Sequence, residues 1–338
     1  MRRRIDVDAL AAQVLDGQRA GIAQAITLVE SSLPAHRPLA RALLARLLPS
    51  AGKATRVGLT GVPGAGKSTF IDALGCRLIE AGHRVAVLAV DPSSTRTGGS
   101  ILGDRTRMGK LSESDDAYIR PSPSGCHLGG VARATREAMI IVEAAGFDTV
   151  IVETVGVGQS EVAVAGMVDT FLLLALAGAG DQLQGIKRGI LELADVIAVN
   201  KADGDNAGQA RVTARDLSIA MKLINDESSG RRTPVLTCSA LTGQGLDEVW
   251  DAVGEHRSWV EETVGLQRRR ADQQVDWMWA QIEGAVVDSL RSTPQLASLG
   301  HELAAQVGTS SLSALDASAR FLSAYAGEVP GFGWQDAD

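Results

Sequence analysis

Residues 61–68 carry the clearest chemistry in this 338-residue sequence, because they form a phosphate-binding pattern. They read Gly-Val-Pro-Gly-Ala-Gly-Lys-Ser, a complete G-x-x-x-x-G-K-S loop. The apolar run before them predicts a buried strand, after which the chain must turn sharply into a helix over Thr69–Ala81. Glycines permit backbone angles that let successive N–H groups surround phosphate oxygens, and the helix N-terminus adds its positive end. The pattern therefore predicts a nucleoside triphosphate site.

The side chains of this loop have distinct predicted roles. Lys67 would reach the β and γ phosphates, and Ser68 would hold Mg²⁺ through its hydroxyl. A chance glycine-rich turn is the alternative interpretation, but the flanking strand and helix lie where the motif requires them. The remaining residues that we expect around the phosphates are Gly61, Val62, Pro63, Gly64, Ala65, Gly66 and Thr69.

A second motif, Asn200-Lys201-Ala202-Asp203, predicts which base the site accepts. It ends the apolar run 196–199, so it lies at the carboxyl end of a strand, where open α/β sheets bind ligands. The Asp203 carboxylate can accept hydrogen bonds from guanine N1–H and N2–H₂ together, a pair of donors that adenine lacks. Asn200 would tie neighbouring loops and contact the base edge, and the stem of Lys201 would lie over the purine face.

A third segment, Ser239-Ala240-Leu241, follows the next predicted strand. It matches the loop whose backbone N–H reads guanine O6, although a Ser-Ala pair alone indicates nothing. A P-loop kinase that phosphorylates a small molecule is a rival interpretation, and the N-K-x-D motif argues against it. The three segments together predict a GTPase that binds GTP and GDP.

Acidic residues between these motifs are candidates for Mg²⁺ contacts. Asp91 follows the second predicted strand, where an acid usually holds a Mg²⁺-bound water, and Asp104 lies within reach along the same loop. Glu153 begins Glu-Thr-Val-Gly, which resembles a D-x-x-G switch with Glu in place of Asp. Glu153 would act near Mg²⁺ or the attacking water, and the N–H of Gly156 would sense the γ-phosphate.

The residue after that switch glycine bears on the rate of hydrolysis. Ras-like GTPases place a water-orienting Gln there, whereas this sequence has Val157. Valine cannot orient water, so we expect intrinsic turnover to be slow or to depend on another group. Gln159 is a nearby candidate for that group.

Composition excludes several functional classes. A net charge of −7 argues against a nucleic-acid-binding surface. We find neither an apolar run of membrane-spanning length nor a signal peptide. The three cysteines, Cys76, Cys126 and Cys238, lie far apart and are odd in number, which favours a reducing cytoplasm.

The order of predicted elements indicates an α/β fold with a largely parallel sheet covered by helices on both faces. We expect three segments: a helical N-terminal extension over 1–50, a P-loop domain over 51–258 and a helical arm over 259–338. The predicted strands are Arg56–Thr60, Arg84–Val90, Ala117–Arg120, Thr149–Val152, Thr170–Ala177, Val196–Val199 and Pro234–Thr237. The predicted terminal helices are Val7–Leu15, Ala20–Ser31, Pro38–Leu48 and one long helix over Trp259–Ser292.

An amphipathic stripe in the last of these helices has two interpretations. It could be intramolecular core, or it could be the contact surface of a dimer. The stripe comprises Val275, Met278, Trp279, Ile282, Val286 and Leu290.

Four segments together resemble the MeaB/ArgK-type GTPases: G-V-P-G-A-G-K-S-T, D-P-S-S-T-R-T-G-G-S-I-L-G-D, E-T-V-G-V-G-Q-S-E and G-D-Q-L-Q-G-I-K-R-G. The resemblance is strong over about residues 35–250. It implies a P-loop NTPase fold with three layers, an N-terminal helical extension and a C-terminal dimerising arm. It also implies a homodimeric chaperone whose GTP hydrolysis gates adenosylcobalamin loading into methylmalonyl-CoA mutase and removal of damaged cofactor. The segment 180–188 matches the family's extra switch, which relays nucleotide state to the mutase.

One departure from this family leaves a rival open. Cys126-His127 stands where the family more often has small or hydroxyl residues, and a Cys-His pair also resembles nickel-insertion GTPases. Two ligands per chain could complete a four-coordinate site only across a symmetric dimer. The alternative is a partly buried thiol beside a surface imidazole.

Overall fold

A seven-stranded parallel sheet forms the centre of the protein in a computed structural model. The structure describes residues 5–90, 108–121, 128–154, 160–177, 188–224 and 230–328. All seven predicted strands are confirmed, with ends that differ by at most two residues. The strands are β1 (Thr55–Thr60), β2 (Val85–Val90), β3 (Ala117–Arg120), β4 (Thr149–Thr154), β5 (Thr170–Leu176), β6 (Val196–Asn200) and β7 (Val235–Thr237).

Helices precede, separate and follow these strands along the chain. In the first half of the chain they are α1 (Val7–Leu15), α2 (Arg19–Glu30), α3 (Arg37–Leu47), α4 (Lys67–Glu80), α5 (Gly109–Glu113) and α6 (Leu128–Ala144). In the second half they are α7 (Ser160–Ala165), α8 (Arg188–Leu193), α9 (Ala207–Ile224), α10 (Leu246–Thr263), α11 (Leu266–Ser292), α12 (Pro294–Gly308) and α13 (Ala314–Glu328).

The strand order is β3-β2-β4-β1-β5-β6-β7, which places β1 at the centre. Alternate residues of a strand point to opposite faces of the sheet, so one strand can contribute to cores on both faces. Val85 and Val87 of β2 belong to one core, whereas Ala86 and Leu88 belong to the other. This three-layer arrangement confirms the predicted α/β P-loop fold.

The three N-terminal helices are confirmed, and they pack on one face of the sheet together with α6. Leu43 and Leu47 of α3 are fully buried there with Ile22 and Ile26 of α2. Helices α4 and α10 cover the other face. The residues from Met1 to Arg270 form one compact unit, which includes these N-terminal helices.

The prediction of one helix over Trp259–Ser292 is wrong, because the helix is interrupted at residues 264–265. Gly265 has a φ of +83°, and its N–H and that of Val264 both donate to the carbonyl of Val260. A left-handed glycine that closes the last turn in this way ends a helix. A new helix, α11, then begins at Leu266.

The described part of the second compact unit, Ala271–Asp338, is helical except at Thr293 and over residues 309–313. Helices α12 and α13 pack against each other, and Leu296 and Leu303 are buried in this unit. No helix in the described ranges is both long and apolar enough to cross a membrane.

Candidate functional site

The phosphate loop connects β1 to α4 in the conformation that its glycines were expected to allow. Gly64 and Gly66 have φ values of +85° and +89°, a region that L side chains rarely adopt. A Cβ atom on Gly61 would collide with the carbonyl oxygen of Leu174, and one on Gly66 would lie 2.8 Å from Nδ2 of Asn200. Backbone shape and neighbouring strands therefore both require glycine in this loop.

The two polar side chains at the start of α4 form hydrogen bonds with residues outside the helix. Nζ of Lys67 donates to the carbonyl of Gly61 at 2.7 Å, so its charge lies across the loop. Oγ of Ser68 donates to Oε1 of Glu153 at 3.4 Å. Thr69 is exposed in the first turn of the helix.

Glu153 reaches this position because β4 is the direct neighbour of β1. Its Cα is paired with that of Leu59, close to the strand end from which the phosphate loop leaves. The Oγ1 of Thr154 donates to the Oγ1 of Thr60 at 2.8 Å and ties the two strand ends together. Sequence patterns alone do not reveal this hydroxyl pair, since the pairing of β1 with β4 decides it.

Asn200 joins the guanine motif to the phosphate loop. It is buried at the end of β6, where its Nδ2 donates to the carbonyl of Ala65 at 2.8 Å. Its Oδ1 accepts from the backbone N–H of Ala240 at 3.0 Å. The predicted tying of neighbouring loops by Asn200 is therefore confirmed by its side-chain contacts.

Asp203 lies beside the third predicted segment. Its Oδ1 accepts a hydrogen bond from Oγ of Ser239 at 2.6 Å. Lys201 is exposed and has a φ of +61°, an uncommon value for a residue with a side chain. Leu241 is 80% exposed, so it lies at the rim of the site.

A pocket of about 560 Å³ adjoins Asp203. Gly243, Gln244 and Glu248 contribute to its wall, and so does Arg77, which belongs to none of the sequence motifs. The Nη2 of Arg77 donates to the carbonyl of Gly243 at 2.8 Å. No local sequence signal identifies Arg77, because its partner lies 166 residues further along the chain.

Cys238 is buried beside Asn200. Desolvation raises the pKa of Cys238 to about 12, and its Sγ donates to Oδ1 of Asn200 at 3.8 Å. Within the ranges that the structure describes, no cluster of three or more His, Cys, Asp or Glu side chains could hold a metal ion.

The structure thus brings the phosphate loop, Glu153, Asn200, Asp203 and the 239–241 segment to one edge of the sheet. Other predicted site residues lie outside the described ranges. They are Asp91, Asp104, Gly156, Val157, Gln159, the Cys126-His127 pair and the switch segment 180–187.

Comparisons with known proteins identify a family and several relatives of this chain. Residues 22–295 match the family model described as "Methylmalonyl Co-A mutase-associated GTPase MeaB". A probable GTPase of Mycobacterium tuberculosis is 60% identical over 89% of this chain and 90% of its own length. The mouse protein named methylmalonic aciduria type A homolog, mitochondrial, is 47% identical over 86% of this chain and 72% of its own length.

A solved structure shows the same architecture. It is the crystal structure of a protein named LAO/AO transport system kinase, and it superimposes with a TM-score of 0.78 at 37% sequence identity. The alignment covers 96% of this chain and 99% of that one.

Proposed function

The chain belongs to the MeaB family of methylmalonyl-CoA mutase-associated GTPases, and we propose that it is a chaperone for a mutase of this kind. It is a GTPase, and its family binds GTP and GDP. In our proposal, nucleotide state gates the loading of adenosylcobalamin into a B12-dependent acyl-CoA mutase and protects that enzyme, with methylmalonyl-CoA mutase as the partner and the cytoplasm as the location. The match over residues 22–295 is the observation that carries this proposal.

The proposed guanine site consists of Asp203 and the backbone of the 239–241 segment. Asp203 accepts from guanine N1–H and N2–H₂ while Ser239 holds its Oδ1. The N–H of Ala240 already donates to Asn200. We therefore assign recognition of guanine O6 to the adjacent N–H of Leu241.

The proposed phosphate site consists of the loop 61–69. Backbone N–H groups of the loop and the N-terminus of α4 face the phosphates. Lys67 would exchange its contact with the Gly61 carbonyl for the β and γ phosphate oxygens. This exchange keeps a positive charge in the loop in both states, so the site is organised before the nucleotide arrives.

The donor groups of Ser68 and Glu153 fit Mg²⁺, which prefers hard oxygen ligands. One hydroxyl and one carboxylate lie 3.4 Å apart beside the phosphate loop. Asp91 and Asp104 complete the set of Mg²⁺-binding residues that we propose from the sequence. A bound Mg²⁺ would neutralise charge on the β and γ phosphates.

Partner-dependent hydrolysis follows from Val157, because valine cannot orient the attacking water. We propose that the mutase orders residues 91–99 and 180–188 around the nucleotide. Gly156 and Glu153 would then act on the γ-phosphate side of the site. Stabilising the transition state by about 1.4 kcal/mol would raise turnover tenfold.

The test is GTP turnover with and without purified methylmalonyl-CoA mutase. We expect at least about a tenfold stimulation, which corresponds to about 1.4 kcal/mol of transition-state stabilisation. Lys187→Ala should reduce the stimulation and leave intrinsic hydrolysis nearly intact. The matched control is Lys222→Ala, which removes an exposed lysine from α9. No stimulation by any acyl-CoA mutase would contradict the proposed partner.

Two rival functions have distinct outcomes in the same experiments. The 37% identical protein of known structure is named a kinase, so transfer of the γ-phosphate to an acceptor, in place of phosphate release, would favour that class. Tight Ni²⁺ binding that is lost in Cys126→Ala, together with no response to a mutase, would favour a nickel-insertion GTPase.

A further inference from the structure

The segment that holds Asp203 is itself a tight turn. The N–H of Ser239 donates to the carbonyl of Gln244 at 2.8 Å, and the N–H of Gly243 donates to the carbonyl of Ser239 at 2.9 Å. The N–H of Thr242 donates to Oγ of Ser239 at 3.2 Å, and that same hydroxyl donates to Asp203. The position of the Ser239 hydroxyl, and with it the Asp203 carboxylate, therefore depends on the conformation of residues 239–244.

Arg77 contacts this turn from the helix that carries the phosphate loop. Besides its bond to the carbonyl of Gly243, its Nη1 donates to Oδ2 of Asp247 in the first turn of α10. The hydrogen bond with Asp247 raises the pKa of Arg77, so the guanidinium stays charged. Arg77 lies ten residues after Lys67 in α4, which corresponds to about 15 Å along the helix. One rigid helix thus touches the phosphate end and the base end of the site.

A side chain at Gly243 would push the guanidinium of Arg77 away from the turn. Gly243 has a φ of +81°, and a Cβ atom built there would lie 2.5 Å from Nη2 of Arg77. The absence of a side chain lets the guanidinium reach the backbone carbonyl. Gly243 therefore serves both the turn and its contact with α4.

We propose that Arg77 is a positioning residue for guanine recognition, acting through the Gly243 turn and Ser239 on Asp203. The proposal rests on the assignment of Asp203 as the guanine-reading carboxylate. The planar guanidinium of Arg77 donates to the Gly243 carbonyl and the Asp247 carboxylate at once. A lysine ammonium lacks this fixed planar arrangement of donors and would hold the two acceptors less rigidly. Losing Arg77 lets the turn and the Ser239 hydroxyl move, and the Asp203 carboxylate that this hydroxyl holds moves with them.

A second arginine pair provides a matched control. Arg46 of α3 bonds to Asp8 of α1, and the side chains of that pair are 43% and 78% exposed. The values for Arg77 and Asp247 are 36% and 73%. The two pairs are thus about equally solvated, but Arg46 makes its backbone contact within its own helix, to the carbonyl of Ala42.

The experiment compares the affinities of GDP and IDP for the full-length protein. IDP lacks the 2-amino group from which Asp203 would accept a hydrogen bond. The two nucleotides carry the same phosphates, so the ratio of their affinities reports on Asp203. In Arg77→Gln we expect GDP to weaken about tenfold and IDP about threefold, since a displaced carboxylate loses one more partner in GDP. Arg46→Gln should leave both affinities unchanged.

Milder variants keep the test informative if Arg77→Gln folds poorly. Asp247→Asn keeps the bond to Gly243, so the affinity ratio should fall less, in the same direction. Arg77→Lys should retain part of the wild-type ratio of GDP to IDP affinity that Arg77→Gln loses. An unchanged GDP/IDP affinity ratio in Arg77→Gln would overturn the proposal, whether both affinities weaken equally, as a merely structural role predicts, or neither changes.

Asp203→Asn separates failure of this inference from failure of the guanine assignment. If that variant keeps the wild-type preference for GDP over IDP, the guanine assignment itself is wrong. If it loses the preference while Arg77→Gln keeps it, only the role of Arg77 is wrong. Combining Arg77→Gln with Asp203→Asn should lower the ratio no further than Asp203→Asn alone.

Discussion

Asn200 shows how one buried side chain can organise a nucleotide site. Its amide group donates to the phosphate loop and accepts from the 239–241 segment, and it is 1% exposed. Because burying an unsatisfied amide costs about 1–3 kcal/mol, both contacts must form together for the site to be stable. The base and phosphate regions are therefore mechanically linked at a single residue.

At the scale of single residues, a first prediction concerns Asp203→Asn. The Oδ1 contact with Ser239 can survive the change, but the new amide presents N–H donors to the donors of guanine. We expect GTP binding to weaken by about 2–5 kcal/mol and binding of xanthosine triphosphate to improve. Isothermal titration of GTP, XTP and ATP checks this, and equal affinity of the wild-type protein for ATP and GTP would contradict the guanine assignment.

A second prediction concerns Glu137, a buried carboxylate away from the nucleotide residues. Desolvation raises its pKa from 4.5 to about 7, against the opposing effects of Arg133 and Arg37. Oε1 lies 3.6 Å from Nη1 of Arg133, whereas Oε2 has no hydrogen-bond partner within the described ranges. The pKa of Glu137 is higher in the folded than in the unfolded protein. The contribution of this carboxyl to the free energy of unfolding is therefore fully present below about pH 4.5 and is lost as pH rises through about 7.

Glu137→Gln should remove this pH dependence. At pH 8 we expect the variant to be more stable than the wild type by on the order of 1–3 kcal/mol, with little difference at pH 4.5. Urea unfolding at both pH values measures the difference. A variant that is less stable than the wild type at pH 8 would show that the ion pair with Arg133 outweighs the desolvation of the carboxylate.

At the scale of elements, the start of α11 is held by a buried ionic network. Arg270 donates to both carboxylate oxygens of Asp169, and also to the carbonyls of Gly52 and Ala54. The Asp169 side chain is 1% exposed and also accepts from the N–H of Arg56. This network ties the first turns of α11 to the entrance of β1 and the end of the loop before β5.

Removing Arg270 should therefore be costly. Arg270→Ala leaves the Asp169 carboxylate buried without its cation, so we expect a loss of about 3–5 kcal/mol in the free energy of unfolding. Arg269→Ala is the matched control, because Arg269 is more exposed and lies 3.8 Å from Asp195; it should cost less than about 1 kcal/mol. Denaturant unfolding of both variants measures the difference, and equal losses would contradict the role of the network.

At the scale of the whole molecule, most of the stripe on α11 is exposed. Four of its six predicted members are exposed: Val275, Met278, Trp279 and Ile282, with Trp279 at 55%. Interpreting these residues as intramolecular core is therefore wrong. We propose the other interpretation, in which they form the contact surface of a homodimer, because contiguous exposed apolar residues mark interaction sites.

The prediction is that the full-length protein is a homodimer at micromolar concentration. Trp279→Glu combined with Ile282→Glu should give a monomer that still binds GDP, because the two substitutions leave the proposed nucleotide residues unchanged. Val212→Glu on α9 is the control, since Val212 is similarly exposed, at 51%. Light scattering distinguishes the states, and a monomeric wild-type protein would contradict the proposal. A truncation that tests the same idea must retain Arg270.

Local sequence was enough to establish the seven strands, the phosphate loop and the guanine motif. Glycine at positions 64 and 66 is required by backbone angles of the loop itself, and apolar runs mark buried strands wherever they pair. Even the end of α10 has a local cause, because Gly265 has the left-handed conformation that closes the helix.

Tertiary structure decided the strand neighbours and the long-range side-chain contacts, which the periodicity of apolar residues does not encode. The neighbours of β1 are β4 and β5, so Glu153 faces Ser68 and Leu174 excludes a side chain at Gly61. Contacts of Arg77 with Gly243 and of Arg270 with Asp169 join residues that lie 166 and 101 positions apart. Such contacts depend on the order in which the strands enter the sheet and on which helix faces are covered, and these are properties of the packed chain and not of any segment within it.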